Sequence, residues 1–182
     1  MTSAGANPRE LGEQLLKSLD KAHLAAAASK LLAASIGDIV VILSRSPAHK
    51  HYSLADIEWM VLPAVLTGQF YVVEAAHKEH GFRAPIAFIT WAFVSEQVER
   101  RLAEQGSGPR VRLRPDEWKS GEIAWLIDAV GSPEGINAGL RWLREGPFRE
   151  RALKLIVRDA DRARATTLDQ LNPGAVDGEA AR

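Results

Sequence analysis

A chain of 182 residues with 46% hydrophobic and 25% charged side chains has the length of one domain plus an appendage, and enough apolar residues for its own core. It contains no cysteine, which excludes disulfides, thiolate nucleophiles and zinc–thiolate centres and fits a reducing compartment. Basic and acidic residues balance at 23 each, so no overall charge marks the chain for nucleic acid.

Met1 to Pro8 lacks the charged and apolar regions of a signal peptide. Leu24–Leu43 is interrupted by Lys30 and Asp38 and reads as too alanine-rich and too charged for a membrane span. The expectation is a cytoplasmic protein with no membrane span. From Pro8 to Ala34, Leu11, Leu15, Leu19, Leu24, Ala28, Leu31 and Leu32 recur at helical spacing. This amphipathic helix packs on its own domain or on a second copy, which makes a homodimer the expectation to test. Ile36-Gly37-Asp38 restarts the pattern, Ile39–Leu43 forms a shorter apolar segment, and Ser46-Pro47 ends it.

Ser53 is a candidate N-cap with Asp56 three residues on. The helix that follows carries Ile57, Met60, Val61 and Val65, is kinked or split at Pro63, and closes at Gly68. Strands are predicted over Gln69–Ala76, Pro85–Phe93, Glu122–Val130 and Ala152–Val157. A turn over His77–Ala84 joins the first two, and helices fall over Ser95–Glu104 and Glu134–Arg144. The tail after Thr166 is polar and expected to be disordered. Strands alternating with helices indicate an α/β (α+β) domain at 36–165, between a helical extension at 1–35 and a tail at 166–182.

Two residues stand out chemically. Asp128 is a lone carboxylate in the strand-like run Trp125-Leu126-Ile127-Asp128, where burial requires a hydrogen-bonded or charged partner. His49 lies in the turn Ser46-Pro47-Ala48-His49-Lys50, and an imidazole is the natural partner where protons move near neutral pH. Read singly, His49 is a surface-loop histidine and Asp128 a strand-end cap; the pair defines a testable site. His77 and His80 match no zinc motif, and Gln105-Gly106-Ser107-Gly108 follows a helix where a phosphate loop would lead into one. No metal site is expected. Between Arg141 and Arg164 eight basic residues face four acidic ones, a local surface for an acidic partner or a solvated helix face.

Several ordered blocks resemble one family. Leu43–Lys50 (Leu-Ser-Arg-Ser-Pro-Ala-His-Lys), Val61-Leu62-Pro63-Ala64 with Gln69-Phe70-Tyr71-Val72, and Pro85-Ile86-Ala87 with Trp91-Ala92 come first. Glu117-Trp118-Lys119-Ser120-Gly121, Trp125-Leu126-Ile127-Asp128 and Val157-Arg158-Asp159 follow. From Ile36 to Asp161 the chain is similar to the toxin-activating lysine acyltransferases, bacterial cytoplasmic enzymes that place fatty acyl groups on internal lysines of RTX protoxins. The resemblance implies a GNAT-like acyltransferase fold with a mixed central sheet, and a catalytic pair at His49 and Asp128. It also implies acyl carrier protein as donor through its phosphopantetheine thioester, with no resident cofactor, and an RTX-type protoxin as acceptor.

On that reading His49 takes the proton of the attacking lysine amine and Asp128 orients the ring. The alternative is attack by His49 itself, giving an acyl-imidazole. Ser46 donates to the thioester carbonyl or to the imidazole, or is a plain turn serine. Trp91, Trp118 and Trp125 line the acyl chain or sit in the core, and Arg149, Arg151 and Lys154 are candidates for docking the acidic carrier protein. A non-catalytic escort module of the same fold, binding an RTX-type client, is the competing function.

Overall fold

The computed structural model describes residues 21–76, 81–104, 112–159 and 162–171. The chain divides into two compact units, Met1–Ala34 and Ser35–Arg182. Residues 8–20 of the expected first helix, the His77–His80 turn, Gln105–Gly108 and the tail from position 172 lie outside the described residues.

Helix α1 spans Lys21–Arg45 without interruption. The expected restart at Ile36-Gly37-Asp38 does not break it. A glycine inside a helix costs only about 1 kcal/mol against alanine, and the turns beyond it bury Ile39, Ile42 and Leu43. Residues 23–34 are exposed throughout, Leu31 at 70%. By length and composition alone, His23–Arg45 is apolar enough to cross a membrane.

Pro47 terminates α1, and a series of tight turns leads to Ser53. Asp56 closes the expected cap, its Oδ2 accepting from the Ser53 amide at 2.8 Å and the Ser53 hydroxyl at 2.9 Å. Helix α2 covers Leu54–Met60 and α3 covers Leu62–Thr67, so Pro63 stands in the first turn of a new helix. Gly68 caps α3 in the left-handed conformation at φ 70°, which glycine adopts without a Cβ penalty.

Strand β1 is Phe70–Ala76 and β2 is Arg83–Val94. Helix α4 (Glu96–Glu104) and a 3₁₀ turn (Pro115–Trp118) precede β3 (Ile123–Gly131). Helix α5 (Pro133–Glu145) leads to β4 (Leu153–Asp159), then β5 (Arg162–Thr167) and a 3₁₀ turn (Leu168–Gln170). The sheet order is β1-β2-β3-β4-β5. All neighbours are antiparallel except β3 and β4, which α5 connects in parallel. This is a mixed α/β sheet domain.

Four strands are expected from the sequence, and β5 is a fifth. Its residues, Arg-Ala-Arg-Ala-Thr-Thr, carry no β-branched or aromatic run until the last two positions. An edge strand needs backbone pairing on one side only, and β5 pairs with β4 from Lys154↔Thr167 onward. Leu168 beyond it is buried in the core, so the ordered chain continues past 165.

The two faces of the sheet are covered differently. On one, α5 packs Ile136, Leu140 and Leu143 against Val73, Ala87, Ile89, Trp91, Ala124 and Leu153. On the other, α1 to α3 pack Ile39, Ile42, Leu43, Met60, Val61 and Val65 on Phe88 and Val130. Beside them Val98, Leu102 and Trp118 meet Ala92, Val94 and Trp125.

Candidate active site

Local turn chemistry brings Ser46 and His49 together. Pro47 fixes φ at the second position of a turn, and the His49 and Lys50 amides donate to the Ser46 carbonyl at 3.0 and 2.9 Å. The turn carries Ser46 Oγ to 2.8 Å from His49 Nδ1. Because α1 is anchored on Phe88 and Val130 through Ile39, Ile42 and Leu43, the turn after it stands on the sheet face that carries Asp128.

Asp128 reaches that face through an irregularity. The β2–β3 register passes from Trp91↔Leu126 to Thr90↔Asp128, leaving Ile127 extra. Leu126 and Ala129 pack on the α5 side and Trp125 and Ile127 on the other. Period-two alternation from Trp125 would therefore send Asp128 toward α5. The bulge resets the phase, as bulges do when a side chain must be re-aimed.

The outcome is a contact between His49 Nε2 and Asp128 Oδ2 at 3.4 Å, with the imidazole side chain 2% and the carboxylate 18% exposed. Asp128 Oδ1 also accepts from the Ala129 amide at 3.0 Å. An ionised carboxylate only accepts hydrogen bonds, so a neutral ring with its proton on Nε2 suits this contact. In that tautomer Nδ1 offers its lone pair to the Ser46 hydroxyl, which donates. The ring is flanked by Tyr52, edge-on with centroids 5.3 Å apart, and Tyr52 lies 6.4 Å from Trp59.

Next to this ring the sequence reading missed a polar cluster. The Trp59 indole donates to Asp56 Oδ1 at 3.0 Å, and the Arg112 guanidinium lies 4.3 Å from the Trp59 ring centroid and 3.6 Å from Asp56. The Trp59 hydrogen bond, then those of the Ser53 amide and hydroxyl, hold Asp56 below the usual carboxylate range, with Arg112 adding to them. Asp56 and Trp59 stand three apart on α2, but Arg112 joins them from a distant segment, so no local signal announces the cluster.

The other candidates separate. Trp118 and Trp125 are 1% and 2% exposed, on the same face of the sheet as His49. Trp91 packs edge-on against Phe148 on the α5 face, across the sheet from His49. A channel lined by all three tryptophans is not what the fold builds. Ser120 and Gly121 are structural: Ser120 Oγ accepts from the Ser95 amide, and a Cβ on Gly121 would stand 2.4 Å from the Val94 carbonyl oxygen. Arg149 is exposed. Arg151 bonds to the Glu122 carboxylate at 3.0 Å and covers Phe93, and Lys154 pairs with Glu99. Two of the three docking candidates are thus engaged within the chain. Among the described residues no cluster of three or more His, Cys, Asp or Glu could hold a metal.

Beneath Trp118, Glu117 is buried at 3% exposure. Burial pushes its carboxyl up. The Arg101 guanidinium at 2.5 Å, the Arg114 amide at 2.8 Å and the Arg114 guanidinium outweigh that effect and hold it below the usual range.

Residues 29–171 match the model of the RTX toxin acyltransferase (HlyC) family. The chain is 37% identical over 95 residues to the lysine-acyltransferase RtxC of Vibrio cholerae, covering 52% of this chain and 56% of that protein. It is 28% identical over 142 residues to the RTX-I toxin-activating lysine-acyltransferase ApxIC of Actinobacillus pleuropneumoniae, covering 78% and 76%. To the leukotoxin-activating lysine-acyltransferase LtxC of Aggregatibacter actinomycetemcomitans it is 33% identical over 102 residues, covering 56% and 54%. The matched region spans about half the length of the first and third of these relatives and three quarters of the second. With the family model matched over most of its length, this chain belongs to the RTX toxin acyltransferase family.

Proposed function

We propose that this chain is a cytoplasmic protein-lysine acyltransferase that moves a fatty acyl group from acyl carrier protein to internal lysines of an RTX-type protoxin. The observation that carries the reading is the chain of contacts from Ser46 Oγ through His49 to Asp128. It is supported by family membership and by the lysine-acyltransferase activity for which the relatives are named.

A lysine amine, with a reference pKa of about 10.4, is protonated at neutral pH and cannot attack until a proton leaves. The imidazole ring is almost fully buried, and Ser46, half-buried, holds the ring nitrogen that has the lone pair. Ser46 therefore relays: it takes the proton from the amine and passes its own to Nδ1. The neutral amine then bonds to the thioester carbonyl carbon and releases its second proton to solvent. The carbon–sulfur bond breaks, and the leaving thiolate takes the proton held by the imidazolium, which restores neutral His49. Asp128 stabilises the imidazolium formed on the way. General base catalysis of this kind contributes about 10²–10⁴-fold. Attack by His49 itself would first have to break the Ser46 hydrogen bond, which favours direct transfer.

A GNAT-like reading of the sheet is supported by the meeting of β3 and β4. They pair only at Ala124↔Leu153 and Trp125↔Lys154, just before the bulge. Beyond it the β3 backbone needs other partners on that side, and an extended, amide-bearing pantetheine arm is suited to strand addition there. Carrier-protein docking falls to Arg149, the exposed member of the basic trio. Arg149→Glu is expected to raise the donor KM at low salt, and an unchanged KM removes that role. Self-association through α1 is supported by exposed Leu24 and Leu31; a chain lacking residues 1–34 that keeps its elution state removes it.

The test incubates the purified chain with myristoyl-loaded bacterial acyl carrier protein and a recombinant RTX protein. A myristoyl mass gain on lysine, absent with His49→Ala and Asp128→Asn, supports the reading. No gain with any client leaves the escort module, and full gain in His49→Ala removes the proposed mechanism.

A further inference from the structure

Along the face that meets α1 to α4, β2 presents Phe88, Thr90, Ala92 and Val94. Thr90 is 1% exposed, and among the described residues its Oγ1 has no hydrogen-bond partner. Valine would match its shape and avoid the cost of leaving a buried polar group unpaired. A hydroxyl kept in such a place needs a use.

Directly across the antiparallel pair, in register with Thr90, stands Asp128. Its Oδ1 accepts from the Ala129 amide at 3.0 Å, and its Oδ2 faces His49 at 3.4 Å. An ionised carboxylate offers about four lone-pair sites, so it has room for another donor. Opposed residues on antiparallel strands hold their Cβ atoms about 4.5–5.5 Å apart. Rotation about Thr90 χ1 brings a hydroxyl at that separation within reach of the carboxylate. The 3.4 Å contact to His49 is longer than a strong charge-assisted hydrogen bond, about 2.7–2.9 Å, so a donor that orients the carboxylate bears on how closely the pair meets.

We infer that Thr90 is a positioning residue for Asp128, its Oγ1–H donating to the carboxylate and holding it against His49 Nε2 when the site works. This rests on the reading of His49 and Asp128 as the catalytic pair. Thr90 acts through Asp128 and touches no substrate.

The experiment compares Thr90→Val, Thr90→Ser and Asp128→Asn with wild type in the myristoyl-carrier assay, with ring-nitrogen NMR of His49 and thermal melts. Losing one hydrogen bond to a charged group lowers kcat of Thr90→Val about tenfold, with the carrier-protein KM unchanged. Thr90→Ser recovers turnover to within about twofold, because it keeps the donor and loses only the methyl. His49 holds its Nε2-protonated tautomer in wild type and Thr90→Ser and becomes a mixture in Thr90→Val. The valine variant melts no lower than wild type, since it removes a buried hydroxyl without changing volume. Wild-type kcat in Thr90→Val overturns the inference, as does a serine variant as impaired as the valine one, which would make the methyl the active part. Full turnover in Asp128→Asn sinks the reading of the site itself, and Thr90 with it. An inactive Asp128→Asn beside a normal Thr90→Val removes Thr90 alone.

Discussion

Ile127 and Asp128 are neighbours in β3, and both turn to the same face of the sheet: Ile127 packs beside Trp118 and Trp125 while Asp128 meets His49. The register shift opposite Thr90 and Trp91 makes this possible. It sets the carboxylate under the turn that follows α1, and the proposed chemistry depends on that meeting.

Replacing either partner should abolish transfer without unfolding the chain. Asp128→Asn keeps the shape but offers the ring an amide in place of a carboxylate, so the tautomer is no longer enforced. Turnover is expected to fall about 10²–10⁴-fold, with His49→Ala at least as severe. Rates of acyl-lysine formation measure this, and circular dichroism checks the fold. A loss below tenfold in Asp128→Asn would place the carboxylate outside the chemistry.

Ser46 separates relay from direct contact. Ser46→Ala removes the hydrogen bond to Nδ1 and forces the amine to reach a ring that is 2% exposed. A kcat loss of about ten- to a hundredfold is expected, from a lost hydrogen bond to a group that becomes charged. Ser46→Thr, which retains the hydroxyl, should recover part of it. Steady-state kinetics decide, and an alanine variant with normal kcat would show that the amine meets the imidazole directly.

Glu117 makes the fold sensitive to acid. Its folded carboxyl titrates below its unfolded value of about 4.3, so the stabilisation is fully present above that value. It is lost as pH falls through the folded value, because the unfolded chain binds the proton first. Glu117→Gln should lower stability at pH 7 by about 1–3 kcal/mol, leaving the Arg101 and Arg114 contacts without their charge. As pH falls below about 4.3 the same variant should lose less stability than wild type, because only the wild-type carboxylate has that contribution to lose. Urea melts at pH 7 and on both sides of that value test both signs.

Gly131 ends β3 at φ 138°, and a Cβ there would stand 2.2 Å from the Ile86 carbonyl oxygen. Gly131→Ala combines backbone strain with overpacking and should cost at least about 2 kcal/mol. Gly37→Ala, where a Cβ meets nothing within 4 Å, should instead stabilise α1 by up to about 1 kcal/mol. Equal melting temperatures for the two variants would contradict this packing.

The amino-acid order alone determined the local devices of this protein. Pro47 stops α1 and shapes the Ser46–His49 turn, the Ser53–Asp56 cap and Gly68 delimit the short helices, and short runs rich in apolar and aromatic residues mark β1 to β4. These depend on neighbours within a few residues, so spacing reveals them. Tertiary structure decided what is long-range. The β3 bulge arises from register with β2, β5 from pairing with β4, and the unbroken α1 from burial of Ile39, Ile42 and Leu43 against the sheet. The placement of Trp91 across the sheet from His49, and of Thr90 opposite Asp128, follows from strand phase. A one-residue change of phase moves a side chain through the sheet, and only the paired strand sets it.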